Sequence, residues 1–137
     1  MYQTILVPLD GSKRAEDVLR HVEELAQRYS ATVVFLQVVE PVLLRVAPEG
    51  VYPALEQREF ERRWEEAESY LAARKGEFRE KGIKARACAV HGPVVEAILT
   101  AAEREGADLI AMASHGRSGL SQVFYGSVAA GVLHRVD

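Results

Sequence analysis

The sequence predicts an open, doubly wound parallel α/β sheet, and three observations predict it. Short apolar runs recur as continuous blocks at 2–9, 31–39 and 107–113, and strands buried on both faces read that way. Longer stretches between them repeat their apolar residues at helical spacing. The two kinds of segment alternate strictly, β-α-β-α-β-α-β-α, which demands parallel strands with helices on both faces.

Each element has its own signature. YQTILVPL (2–9) ends at Asp10-Gly11-Ser12 and reads as a buried strand. Ala15, Val18, Leu19, Val22, Leu25, Ala26 and Tyr29 then share one helical face, with Ser12 as the expected cap. ATVVFLQVV (31–39) is the second strand, followed by a long loop to about residue 53 that carries Pro48, Gly50 and Pro53. Loops of that length tend to be functional or mobile. From Leu55 to about Lys81 a charged helix is expected, with Phe60, Trp64, Ala67, Leu71 and Phe78 facing inward. IKARACAV (83–90) alternates Ile83, Ala85, Ala87 and Ala89 with Lys84, Arg86 and Cys88, the pattern of a strand near an edge. Gly92-Pro93 opens a third helix, with Pro93 expected at its first position, where a missing N–H costs nothing. Its inner face is expected at Val94, Val95, Ile98, Leu99 and Ala102, and Gly106 ends it. ADLIAMA (107–113) is the fourth strand, and a fourth helix is expected from Ser121 to about Arg135.

The 137 residues fit one domain, long enough to bury a core without staples. Formal net charge is −3, from 17 basic and 20 acidic residues, which argues against a nucleic-acid binder working by phosphate neutralisation. The single cysteine, Cys88, has no internal disulfide partner and fits a reducing cytoplasm. No basic-then-apolar leader and no apolar run of membrane-spanning length is seen, so a cytoplasmic protein without a membrane partner is expected.

In an open parallel sheet, ligands bind beyond the carboxyl ends of the strands, where strand order reverses. If the first strand is central and the fourth is its neighbour across that reversal, two loops meet there: Pro8 to Ser12, and Ala113 to Gly119. Gly116 and Gly119 suit a sharp turn with close backbone approach, and Gly126-Ser127 follows at a spacing that could fold back over the site. Backbone N–H groups near a helix start favour an anion. Phosphate binding and a plain turn weigh about equally on these residues alone. Neither G-x-x-x-x-G-K-[ST] nor G-x-G-x-x-G is present, and no lysine lies near the loop.

VPLDGS (7–12), Gly92-Pro93 and the block from Ala113 to Ser127 together resemble the universal stress protein family, over essentially the whole chain. Its fold is Rossmann-like. Its ATP-binding members carry Gly, two residues, Gly, nine residues, then Gly with Ser or Thr. Here Ala113-Ser114-His115-Gly116, RSGLSQVFY and Gly126-Ser127 keep that spacing, with Ala113 at the first glycine position. The resemblance implies ATP, ADP or AMP with Mg²⁺ as the ligand. It implies Asp10 beside the nucleotide, the Val38 main chain at the adenine edge, and Ala113, His115 and Gly116 along ribose and phosphates. Gly126, Ser127 and Val128 would hold the outer phosphates. With Pro8, Leu9, Met112 and Arg117 from the two loops, these residues form the expected site. The family's fifth strand after the last helix often pairs across a homodimer, and no such strand is seen in this sequence.

Taken singly, Asp10 suits two roles that are compatible: ordering the first helix start, or meeting Mg²⁺ as a hard oxygen ligand. His115 reads as a positioning residue more than a general base. Arg117, the one cation inside the loop, reaches phosphate or solvent. Trp64 reads as core, and no Cys/His cluster has zinc spacing. Three functions compete: a nucleotide-binding stress regulator with slow or no hydrolysis, a weak ATPase using Asp10 and His115, and an interaction module that binds a protein partner and no nucleotide. The first is favoured, because fast phosphoryl transfer wants a dedicated lysine and a second carboxylate. A phosphorelay receiver is rejected for want of its acidic cluster.

Overall fold

The computed structural model describes residues 2–40, 53–112 and 123–126. Strand β1 (Thr4–Leu9) leads into a one-turn helix α1 (Lys13–Glu16) and helix α2 (Leu19–Tyr29). Strand β2 (Thr32–Val39), the 28-residue helix α3 (Pro53–Glu80) and strand β3 (Ala85–His91) follow. Helix α4 (Val94–Glu105), strand β4 (Leu109–Met112) and strand β5 (Val123–Gly126) complete the described chain. The sheet order is β3-β2-β1-β4-β5, with β1 to β4 parallel.

The four expected parallel strands are all present, and the predicted reversal of order falls between β1 and β4. The chain steps outward from β1 through β2 to β3, then crosses back to set β4 on the other side of β1. Right-handed crossovers put helices on opposite faces when the direction of stepping reverses. The burial follows that rule. Ile5, Val7, Val33, Phe35, Leu109 and Ala111 pack with Val22 and Ala26 of α2 and Leu71 and Phe78 of α3. Leu6, Val34, Leu36 and Ile110, one residue out of step, pack with Ile98, Ala101 and Ala102 of α4. Period-two side-chain alternation thus serves two cores at once. Burying one such large aliphatic or aromatic side chain contributes about 1.5–3 kcal/mol.

Several boundaries differ from expectation. The first helix is broken at Asp17–Val18, so that α1 and α2 are separate; Val18 is fully buried and stands at the start of α2 with no side-chain cap. Pro93 is extended (φ −61°, ψ 136°) and precedes α4 as its cap residue, its carbonyl accepting from the Ala97 N–H over 2.9 Å. Val94, expected inside, is 40% exposed. Gly106 does end α4, in the left-handed conformation (φ 65°) that leaves no penalty on glycine. Strand β3 is the sheet edge, as its alternation predicts.

The helix expected from Ser121 does not hold over Val123–Gly126. These four residues pair antiparallel with β4, Met112 opposite Val123 and Leu109 opposite Gly126. The physical reason lies in β4, whose outer row of N–H and C=O groups would otherwise form an open edge. The long loop's residues 41–52, the Ala113–Gly119 loop and residues 127–137 lie outside the described residues. Among the described residues no helix is long and apolar enough to cross a membrane.

Candidate functional site

The carboxyl ends of β1, β2 and β4 enclose a cavity of about 580 Å³, within the size range of small-molecule sites. Pro8, Leu9, Val38 and Met112 come from the three strands, and Val94 and Ile98 from the start of α4. Asp10, Ser12 and Ala15 line the side given by the β1–α1 turn, and Glu40 stands just beyond β2. The walls are therefore mainly apolar. The polar groups gather where the chain leaves β1 and β2.

The turn after β1 is ordered by its own side chains. Asp10 Oδ1 accepts from the Ser12 N–H over 2.9 Å, and Gly11 between them takes φ 86°. Ser12 Oγ accepts from the Ala15 N–H over 3.1 Å, which caps α1 as expected. The two suggested jobs of Asp10 are thus compatible in space, since a turn-forming carboxylate stands at the cavity.

Ala15 and Leu19 pack on the core beneath the turn. Next to Ala15, Glu16 accepts from the Tyr70 hydroxyl of α3 over 2.7 Å, and the Arg74 guanidinium lies 3.5 Å from the same oxygen. Burial first, and then the Glu16 acceptor, push the Tyr70 hydroxyl above its ordinary range.

Of the residues singled out from the sequence, Pro8, Leu9, Asp10, Val38 and Met112 converge on this one cavity. Gly126 does not join them. Its partner Leu109 begins β4, so Gly126 sits at the amino end of the sheet, away from the cavity. Ala113, His115, Gly116, Arg117, Ser127 and Val128 lie outside the described residues. Ser12, the end of the loop expected there, also lines the cavity, and sequence reasoning missed Ala15, Glu40, Val94 and Ile98. Glu40 was open to discovery, because it follows the carboxyl end of the strand beside β1. Val94 and Ile98 were not, because an inward helical face and a cavity wall look alike in sequence. Among the described lining residues there are two carboxylates and no lysine or arginine.

The model of the Universal stress protein family matches residues 1–137. The chain belongs to the universal stress protein family. The universal stress protein MJ0577 of Methanocaldococcus jannaschii is 33% identical over 148 residues, covering 98% of this chain and 90% of that protein. A solved universal stress protein from Burkholderia pseudomallei superposes with a TM-score of 0.71 at 29% identity, over 98% of this chain and 90% of that one. Two further structures share the fold at lower identity. One is a universal stress protein in complex with cAMP (TM-score 0.62, 19% identity, 85% of this chain and 80% of that one). The other, from Arabidopsis thaliana, has AMP bound (TM-score 0.62, 16% identity, 96% of this chain and 85% of that one).

Proposed function

We propose that this universal stress protein binds an adenine nucleotide, ATP with Mg²⁺ foremost, in the cavity between β1, β2 and β4, and acts by binding with little or no hydrolysis. The observation that carries the reading is the convergence of Pro8, Leu9, Asp10, Val38 and Met112 on one cavity at the reversal of strand order. An open parallel sheet binds nucleotides at that point. The apolar walls suit a base, and fold neighbours hold cAMP and AMP.

Val38 and Met112 would flank the base, and the Asp10 carboxylate the ribose and phosphates. Ala113, His115, Gly116 and Arg117 would follow the phosphates. Gly126, as paired in β5, has no part in this assignment, and neither have Ser127 and Val128, which follow it directly in the chain.

Asp10 is a hard oxygen ligand at the cavity, and among the described residues no group of three or more His, Cys, Asp or Glu could hold a metal by itself. That donor set fits Mg²⁺ arriving with the nucleotide, since Mg²⁺ keeps waters and phosphate oxygens and needs few protein ligands. Bound there, it would offset phosphate charge that two carboxylates would otherwise repel.

The test is to release and identify any resident adenine nucleotide, then to titrate ATP–Mg²⁺ calorimetrically into the wild type, Gly116→Val and Met112→Trp. Micromolar binding to the wild type, weakened at least ten-fold in both variants, is expected. A wild type that takes up no adenine nucleotide overturns the reading in favour of a protein-interaction module. Weak ATPase activity has one observation on its side, the second carboxylate Glu40 at the cavity. Multiple turnover abolished by Asp10→Ala would establish it.

A further inference from the structure

We propose that Tyr70 of α3 is a positioning residue, whose hydrogen bond to Glu16 holds the Ser12–Glu16 rim of the cavity in place for its ligand. The inference rests on the nucleotide reading for its ligand, and on the structure alone for the contact itself.

A four-residue helix cannot hold itself. One turn fixes its dihedrals for very few hydrogen bonds and is unstable in isolation. The main-chain bonds of α1 are few: the Glu16 N–H donates to Ser12 O over 3.2 Å and the Asp17 N–H to Lys13 O over 3.1 Å. The break at Asp17–Val18 separates α1 from the eleven-residue α2, so α1 borrows little rigidity from it. Yet Ser12 and Ala15 both line the cavity. Something outside the segment must fix it.

Helix α3 does so. Tyr70 and Arg74 stand one turn apart on α3, both directed at one carboxylate. The Tyr70 hydroxyl donates to Glu16 Oε2 over 2.7 Å across 54 residues of chain, and Arg74 NH1 lies 3.5 Å from the same oxygen. Arg74 is itself held. Its guanidinium carbon sits 5.0 Å from the centre of the Tyr70 ring, its NH2 donates to Glu77 Oε2 over 2.9 Å, and its side chain is only 19% exposed. Its Nε is buried without a hydrogen-bond partner, a cost that the ring contact and the two carboxylates must offset. The link is thus a built feature, rooted in the longest helix of the fold and ending at the residue beside Ala15. It leaves Asp10 and Ser12 with a fixed outer neighbour, and preorganisation of a rim raises affinity by the fraction of time the rim is in place.

The test uses hydrogen exchange and binding on the full chain, in the wild type, Tyr70→Phe, Glu16→Gln and Glu16→Ala. Tyr70→Phe removes one oxygen and keeps the ring, so the global unfolding midpoint is expected to change little. The Ala15, Glu16 and Asp17 amides of the apo protein are expected to exchange about ten-fold faster, the loss of one hydrogen bond to a carboxylate. Glu16→Gln keeps an acceptor and should restore most protection, whereas Glu16→Ala should match Tyr70→Phe. ATP–Mg²⁺ affinity is expected to fall about three- to ten-fold in Tyr70→Phe. Amides that exchange alike in wild type and Tyr70→Phe, or that are unprotected in the wild type, overturn the contact. Faster exchange with unchanged affinity in a wild type that binds overturns the positioning role. A wild type that binds no nucleotide overturns the functional reading, and with it the positioning role, while the exchange data still decide the contact.

Discussion

Asp108 and Thr4 exchange hydrogen bonds across 104 residues of chain. The Thr4 N–H donates to Asp108 Oδ1 over 3.1 Å, and the Asp108 N–H donates to Thr4 O over 3.0 Å. The other carboxylate oxygen accepts from the Gln3 N–H over 2.8 Å. One side chain therefore caps the entry of β1 while its own strand, β4, begins. This stitch sets the register Ile5 with Leu109 and Leu6 with Ile110. Counting two residues on places Pro8 across from Met112, at the cavity.

Asp108→Ala is expected to lower stability by about 2–3 kcal/mol, because two main-chain donors at the strand entry lose a charged acceptor. Asp108→Asn keeps one oxygen and should cost roughly half as much. Urea unfolding of the three proteins measures both, and equal stability of all three would show that water replaces the carboxylate at no cost.

Phe35 is fully buried in β2 and meets Phe78 of α3 edge to face, ring centres 4.9 Å apart. Phe35→Ala leaves a cavity between sheet and helix and is expected to cost about 3–5 kcal/mol. Phe35→Leu should cost clearly less. Thermal unfolding with intact far-UV circular dichroism at low temperature checks the order.

Gly106 holds φ 65° at the end of α4, and a Cβ there would meet no atom within 4 Å. The penalty for Gly106→Ala is therefore conformational alone, about 1–2 kcal/mol. Chemical denaturation tests it, and a stabilised variant would contradict the left-handed turn.

Burial alone would raise the Glu105 carboxyl, but Arg86 and Arg104 outweigh it and hold the group below its ordinary 4.5. The Arg86 NH2 donates over 3.0 Å and the Arg104 Nε over 3.2 Å. A carboxyl depressed in the folded state adds stability above its unfolded value, and loses it as pH falls through the folded one. The stability gap between wild type and Glu105→Gln should be level from pH 7 to about 5 and should close below 4.5. A gap that widens on acidification would reverse the sign.

Three of the four parallel strands were legible as continuous apolar blocks, YQTILVPL, ATVVFLQVV and ADLIAMA, the pattern of burial on both faces, and the edge strand β3 by the alternation in IKARACAV. Helix ends were legible where a residue type has one conformational use, as at Gly106. The break at Asp17–Val18 was not, because the apolar spacing of Ala15, Val18 and Val22 runs through it unchanged. The strand at Val123–Gly126 was hidden for a related reason. VFY favours a strand by residue type, but a run of three is outweighed by the alternation that calls for a helix, and the unpaired edge of β4 decides between them.

Five residues named in advance meet at the cavity: Pro8, Leu9, Asp10 and Met112 from strand ends and the turn after β1, and Val38 through the family resemblance. Asp10 and Ser12 carry their turn in their own chemistry. By itself, then, the sequence determined the parallel α/β class and the family, because those depend on periodicity, local residue type and motif spacing. Only the tertiary structure decided the order β3-β2-β1-β4-β5, the cavity it opens, and the meeting of Glu16 with Tyr70 and of Thr4 with Asp108. Those depend on contacts between residues 54 and 104 positions apart, which no local spacing can encode.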